Sequence, residues 1–299
     1  MRLSDIPAAA LTERIAAGLG LQTGPFRFLV QSSEAGVARG LSQLYADFEV
    51  GPFDLHDFHV SIRRPAGLRR WIHPQVEFAM DGFSPFIPLP ADHAFAQLEW
   101  GMNWCIAAHA HHYLMLHAAV LEKNGQAVIL PGDPGAGKST LTAALVLSGW
   151  RLLSDEITLI DRDDGQIVPL ARPVSLKNAS IDIIRSFSQA ASIGETALDT
   201  HKGSVAHLRP MPDSVLRMDE KAQPRHIVFP RWKSQALLTR HPQDKASAFI
   251  HLASHAFNYN LLGPLAFRLT KNTLDTCTCQ RIWYSQLDDA LAFFSELVA

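Results

Sequence analysis

The sequence predicts an α/β protein, and two stretches carry that prediction. Between residues 126 and 161 an apolar run, a glycine-rich loop, a run of strong helix formers and a second apolar run follow one another. That is the order of a βαβ unit. Over the first ninety residues, runs rich in aromatic and β-branched side chains alternate with Gly-Pro, Pro-Ala-Gly and Asp-Gly, which reads as β-rich. Of the 299 residues 47% are hydrophobic and 19% charged, enough apolar material for a packed core and too little charge for disorder. The chain therefore divides into a β-rich N-terminal accessory region over residues 1–90 and an α/β domain over 91–299.

At the N-terminus, Leu11, Ile15 and Leu19 recur near helical spacing and predict a short helix packed on the body. Asp5, Glu13 and Arg14 interrupt every apolar stretch that a signal peptide would need. LYADFEV, FDLHDFHVSIRR and WIHPQVEFAM then read as strands, and Pro85, Pro88 and Pro90 mark an irregular connection. Asp92 is placed to cap a helix whose apolar stripe is Phe95, Leu98, Met102 and Ile106. No Asp, Glu, Lys or Arg occurs between residues 100 and 121, a length that would span a bilayer. Asn103, His109, His111, His112 and His117 make that placement expensive. The reading is a buried helix ending near His112 and a strand from about Leu114.

Two apolar runs, 114–121 and 126–130, flank Lys123-Asn124-Gly125, and Asn-Gly in that setting predicts a hairpin. The second strand enters the glycine-rich loop, and the helix after it stops at Gly149. Leu152-Leu153 begins the next strand, Ser154-Asp155-Glu156 interrupts it, and ITLID continues it. Such a crossover is right-handed in nearly all cases, so both strands deliver their carboxyl ends to one edge of the sheet, where ligands bind. Beyond residue 171, loops alternate with short strands, an amphipathic helix covers about 246–257, and a closing helix covers 287–298.

Lys plus Arg total 27 and Asp plus Glu 29, a net charge of −2, which argues against a nucleic-acid partner bound through a broad basic surface. Three cysteines, Cys105, Cys277 and Cys279, are too few for a secreted disulfide framework, and a reducing cytoplasm is expected, with no membrane partner. Cys277-Thr-Cys279 has the wrong spacing for a zinc knuckle.

Gly132-Asp133-Pro134-Gly135-Ala136-Gly137-Lys138-Ser139 matches G-x-x-x-x-G-K-[ST] in full, with a strand before it and a helix after it. Glycines let backbone N–H groups point inward, and the helix adds the positive end of its dipole. Lys138 supplies a charge for the β- and γ-phosphates of ATP, and Ser139 a hydroxyl for Mg²⁺; Thr140 completes the set of expected nucleotide-binding residues. Asp155 and Glu156 fall at the carboxyl edge one strand later. One carboxylate can serve the metal and the other can deprotonate an acceptor hydroxyl. Adjacent residues of a strand point to opposite faces, so the two share a task only where the backbone bends.

The run His117-Ala118-Ala119-Val120, the loop through Lys138-Ser139, and Leu152-Leu153-Ser154-Asp155-Glu156 together resemble the HPr kinase/phosphorylase family, most of all its HPr kinase-related proteins. The resemblance covers residues 117–161. It implies a phosphoenolpyruvate-carboxykinase-type P-loop kinase core and ATP- and Mg²⁺-dependent phosphorylation of a serine hydroxyl on a protein or peptide. It also implies association of copies of the chain. Carried over residue by residue, the catalytic group is His117, Lys138 and Asp155, with Asp155 as base, and Ser139 and Glu156 would hold Mg²⁺. The family's downstream Glu-Ile-Arg-Gly segment has no counterpart, since PLARPVSLKNASI stands in its place. Two other functions stay open: a kinase of a small-metabolite hydroxyl, and a non-catalytic nucleotide-sensing module.

Arg172, Lys177 and Asn178 lie where they could reach phosphate oxygens. Lys202-Gly203-Ser204 and His207-Leu208-Arg209-Pro210 read as a solvated basic loop, and His109, His111 and His112 as structural histidines.

Overall fold

A computed structural model of the chain describes residues 1–67, 72–133 and 135–299. Pro134 of the loop and Trp71, which opens one of the expected N-terminal strands, lie outside the described residues.

Helix α1 (Ala8–Ala17) buries Leu11 and Ile15 as their spacing predicts. It leads into the hairpin of β1 (Leu19–Thr23) and β2 (Phe26–Ser32). Helix α2 (Ala35–Leu44) buries Val37, Leu41 and Leu44 on one face. LYADFEV is therefore not the expected strand. Leu44 completes that helical face, Tyr45 and Phe48 pack against each other with ring centroids 4.5 Å apart, and Glu49 and Val50 make only isolated bridges. Strands β3 (Phe58–Arg63), β4 (Gln75–Met80) and β5 (Leu89–Pro90) complete a sheet in the order β1-β2-β3-β4-β5. Asp92 sits inside a 3₁₀ turn, Ala91–His93, and does not cap the following helix α3 (Ala94–His109). Leu98, Met102 and Ile106 of α3 pack in one core with the first sheet.

The predicted hairpin is β6 (Tyr113–Lys123) and β7 (Gln126–Pro131), turned by Asn124 and Gly125 at φ 54° and 76°, the conformation that Asn-Gly adopts readily. Helix α4 (Lys138–Leu147) follows the loop and ends at Gly149, φ 84°, where the N–H groups of Gly149 and Trp150 donate to the carbonyls of Val146 and Leu145. Then come β8 (Arg151–Ser154), β9 (Ile157–Asp161), β10 (Ile167–Val168) and β11 (Val174–Lys177). Helix α5 (Ala179–Phe187), strands β12 (Ala197–Thr200) and β13 (Gly203–Leu208), and helix α6 (Pro212–Leu216) lead to the long strand β14 (Gln223–Trp232). The chain closes with β15 (Thr239–Pro242), α7 (Lys245–Ser254), α8 (Tyr259–Leu262), α9 (Pro264–Thr276), β16 (Thr278–Tyr284) and α10 (Leu287–Leu297).

Among the described residues, eight strands form the main sheet, in the order β10-β9-β6-β7-β14-β16-β15 with β8 also paired to β6. Strands β7 and β8 flank β6 and both run antiparallel to it, so they are parallel to each other with α4 as the crossover. Along β7 the pleat sends Val128 and Leu130 to a core shared with α4 and α10, and Ala127 and Ile129 to a core shared with α7 and α9. The main sheet is thus buried on both faces, and each fully buried Leu, Ile or Val contributes about 1.5–3 kcal/mol. Strands β11, β13 and β12 form a third, small sheet beside it.

Candidate phosphate-binding site

Strand register brings the loop and the acidic pair together. Ala118 of β6 is opposite Pro131, the last residue of β7, while His117 and Val120 are opposite Ile157 and Ser154. The glycine-rich loop and Asp155-Glu156 therefore leave the sheet at the same height on either flank of β6, with His117 between them. The line of β8 and β9 breaks at the acidic pair, where a hydroxyl hydrogen bond from Thr158 to the Ala118 carbonyl, 2.9 Å, occupies an acceptor of β6. That bend answers the pleat problem: both acids reach the same region, though not the same partners.

The loop backbone requires its glycines. Gly135 and Gly137 hold φ of 86° and 85°, and a Cβ on Gly137 would lie 2.9 Å from Trp232 and 3.0 Å from the Tyr284 hydroxyl. Gly137 is also the residue from which α4 starts, so the first N–H groups of the helix open toward the loop. Ala136 is tied by its own backbone, its N–H donating to Asp133 and its carbonyl accepting from Trp232.

A cavity of about 510 Å³ lies over the loop. Gly132, Asp133, Gly135, Gly137, Lys138, Ser139 and Thr140 line it, and so do His117 and Glu156 from the other flank. Lys177 and Asn178 line it as well, from the end of β11, while Arg172 does not. Instead Arg172 is buried, 2.6 Å from Glu99, and donates also to Tyr45 and Asn103. Lys202 lies over the Trp100 ring, 5.0 Å from its centroid, and does not line the cavity.

Asp155 is 6% exposed and does not line the loop cavity. One of its oxygens accepts from the Ser175 backbone N–H at 2.9 Å, and the other is buried with no hydrogen-bond partner. Burial, and next the charge of Glu156, push its carboxyl up to about 7. Glu156 behaves oppositely. Burial opposes its ionisation, but Lys177 and the other surrounding cations outweigh it and hold it below the usual carboxylate range. Asn103 donates to it at 2.9 Å, and the Lys177 ammonium is 3.9 Å away. Lys138 has its ammonium buried without a partner; burial lowers it from its ordinary value against the pull of Asp155 and Glu156. Burial and then Lys138 lower His117 to about 4, so its ring is neutral at neutral pH.

The arrangement is a backbone nest, a buried cation, a hydroxyl, one ionised carboxylate and one carboxyl poised near neutrality. Such a set can bind a polyphosphate and exchange a proton. Several members were not foreseeable from local pattern. Asn103 reaches Glu156 from α3, Ser175 reaches Asp155 from β11, and Trp232 and Tyr284 wall the cavity from β14 and β16.

A family described as SynChlorMet cassette protein ScmC matches residues 95–192 of this chain, a stretch that holds the loop and both acids. No curated protein matches the sequence. Among solved structures, the HPr(Ser) kinase/phosphatase from Coxiella burnetii aligns over 61% of this chain and 96% of its own, with 13% identity and a TM-score of 0.25. No helix among the described residues is long and apolar enough to cross a membrane.

Proposed function

We propose that the chain is an ATP- and Mg²⁺-dependent kinase that phosphorylates a hydroxyl, a serine of a protein or peptide, with residues 91–299 as a phosphoenolpyruvate-carboxykinase-type P-loop core and 1–90 as an accessory region. The observation that carries the reading is the Lys138 ammonium, buried and unpartnered in the floor of the cavity that the loop encloses. A desolvated cation with no hydrogen-bonded partner is costly, and an incoming phosphate offsets that cost. The loop N–H groups and Lys138 would hold the β- and γ-phosphates, and the exposed Trp232 and Ile183, which also line the cavity, offer apolar surface for the base.

Ser139 and Glu156 both line the cavity and are hard oxygen donors, which suits Mg²⁺. When bound, the metal supplies charge neutralisation on the phosphates. The chain's own part in the transfer falls to Asp155, Lys138 and His117. The acceptor oxygen bonds to the γ-phosphorus, its proton passes to the Asp155 carboxylate, and the bond to the bridging oxygen breaks with its electron pair leaving on ADP. A base near 7 is matched to that task, and the Ser175 N–H orients it. Neutral His117 adds a polar wall without competing with Lys138 for the phosphates.

One observation favours a second reading, a nucleotide-sensing module: Asp155 stands outside the loop cavity. Incubation with γ-labelled ATP, Mg²⁺ and fractionated lysate separates the two. Label in a protein or peptide fraction, lost in Lys138→Ala, supports the kinase, and label in the small-molecule fraction moves the acceptor to a metabolite. Saturable ATP binding with no transfer to any fraction refutes the kinase and leaves the sensor.

A further inference from the structure

Behind the loop, on the face of the main sheet that α7 covers, two histidines that the proposed phosphoryl transfer does not use converge on Asp133, a residue of the phosphate loop itself. His251 and His255 are four residues apart on α7 and its C-terminal end, and their rings stack with centroids 4.2 Å apart and planes at 17°. That spacing places two imidazoles on one helix face, as in helical zinc pairs. Asp133, the second residue of the glycine-rich loop, approaches from the other side, with its Oδ1 3.1 Å from His255 Nε2. A ligand atom from each of the three lies within 4.8 Å of the others.

The hydrogen bonds decide which atoms face inward. His255 Nδ1 lies 2.9 Å from the carbonyl of His251, which can only accept, so Nδ1 carries the proton and neutral His255 presents a bare Nε2. This bare nitrogen meets a carboxylate oxygen, so two lone pairs point at one another unless a cation stands between them. A second proton on His255 would answer that clash alone. It would leave His251 Nε2 as it is, buried and without a hydrogen-bond partner. A metal ion answers both once the His251 ring turns out of its stack on His255, because imidazole lone pairs lie in the ring planes and planes only 17° apart do not meet at one ion. Ring N–H to backbone carbonyl is also the outer bond that orients metal-bound histidines. In a tetrahedron with bonds of about 2.0–2.1 Å the ligand atoms are about 3.3 Å apart, close to the 3.1 Å separation of His255 and Asp133.

We propose that Asp133, His251 and His255 form a binding site for one divalent transition metal ion of the Zn²⁺ class, which fastens the entry of the phosphate loop to α7. Two imidazoles and one carboxylate select such an ion over Mg²⁺ or Ca²⁺. The fastening reaches further along the backbone, because the His255 carbonyl accepts from the His117 N–H at 2.8 Å and Phe257 donates to Met115 of β6. The site stands whether or not the chain transfers phosphoryl groups.

Tag-free, chelator-stripped protein titrated with Co²⁺ provides the test. One equivalent is expected to bind with visible absorption of a four- or five-coordinate ion, and Zn²⁺ is expected to displace it. His255→Asn and His251→Asn should each weaken Co²⁺ binding at least tenfold, and Asp133→Asn should weaken it less. Both histidines are partly buried, so His251→Asn and His255→Asn are each checked for native unfolding in urea, and His255→Asn keeps the test informative where His251→Asn misfolds. Absence of saturable one-equivalent binding, or unchanged affinity in folded His255→Asn, overturns the proposal.

Discussion

Replacing Asp155 by Asn should stabilise the protein at neutral and alkaline pH and not in acid. Asp155 is buried, one oxygen is unpartnered, and its carboxyl is pushed from 3.8 to about 7. At about 1.4 kcal/mol for each tenfold change in acidity, the ionised form costs the folded state about 4 kcal/mol. The sign follows from proton counting. Below 3.8 both states hold the proton and nothing is lost. Between about 4 and about 7 the unfolded chain releases its proton while the folded chain keeps it, so stability falls as pH rises, and above about 7 the whole penalty is present.

Asn cannot ionise and keeps an oxygen to accept from the Ser175 N–H. Against that gain, Lys138 loses the neighbour that most favours its charged form. A net gain of about 2 kcal/mol at pH 8, and less than about 0.5 kcal/mol at pH 5, is the expected result. Urea unfolding of both proteins at the two pH values, followed by tryptophan fluorescence, reads the difference directly. Labelled-phosphate transfer should meanwhile be lost in the variant with ATP binding retained. A stability difference that is the same at both pH values, or an Asn variant weaker than wild type at pH 8, would refute the picture of a carboxyl held protonated by burial. Such stabilisation at the expense of turnover is what a site held under strain for function gives up when it is relaxed.

Other perturbations should separate site from scaffold. Arg172→Ala leaves Glu99 buried without its cation and should cost about 3–5 kcal/mol in denaturant unfolding, whereas Lys177→Ala should leave stability within about 0.5 kcal/mol and weaken ATP binding. His117, lowered to about 4, should show imidazole ¹H shifts that stay flat from pH 6 to 8 and move only near 4, and a midpoint near 6.5 would contradict its placement. Because its folded value lies below its unfolded one, His117 contributes stability above pH 6.5 that is lost as pH falls toward 4.

How much could be read from sequence depended on how far apart the interacting residues stand. The hairpin from β6 to β7, the loop, α4 with its Gly149 stop, and the acids of the following strand all rest on neighbours within about 40 positions, and their signals survive in local pattern. Strand β14 was hidden because Pro224 and Pro230 argue against an interior strand. It tolerates them because Pro224 sits at a register shift and Pro230 lies beyond the last pair with β7. Arg172 read as a loop residue able to reach phosphate oxygens because its partner Glu99 is 73 positions earlier on α3. LYADFEV shows the reverse failure, a β-rich composition overridden by a helical face that begins seven residues earlier at Val37. His251 and His255 did carry a local signal, the four-residue spacing, but its third member, Asp133, is 122 positions from His255.

The distribution of compensated and uncompensated charge ties these strands of evidence together. Away from the loop, buried ions are matched: Arg172 with Glu99 at 2.6 Å, and Arg151 with Glu122 at 2.8 Å. Among the described residues, the charged side chains with a buried atom lacking a hydrogen bond are Lys138, Asp155 and Arg151, and the last is in the ion pair just named. The two left over, one cation and one acid, flank the same two residues of β6, His117 and Ala118, and each weighs on the other's ionisation. A fold that pairs its other buried ions pays several kcal/mol to leave these two open, and chance placement does not explain why both fall at the carboxyl edge of one crossover. An anionic ligand over Lys138 and a proton for Asp155 would settle both debts at once, which is what binding a phosphate ester beside a hydroxyl donor supplies.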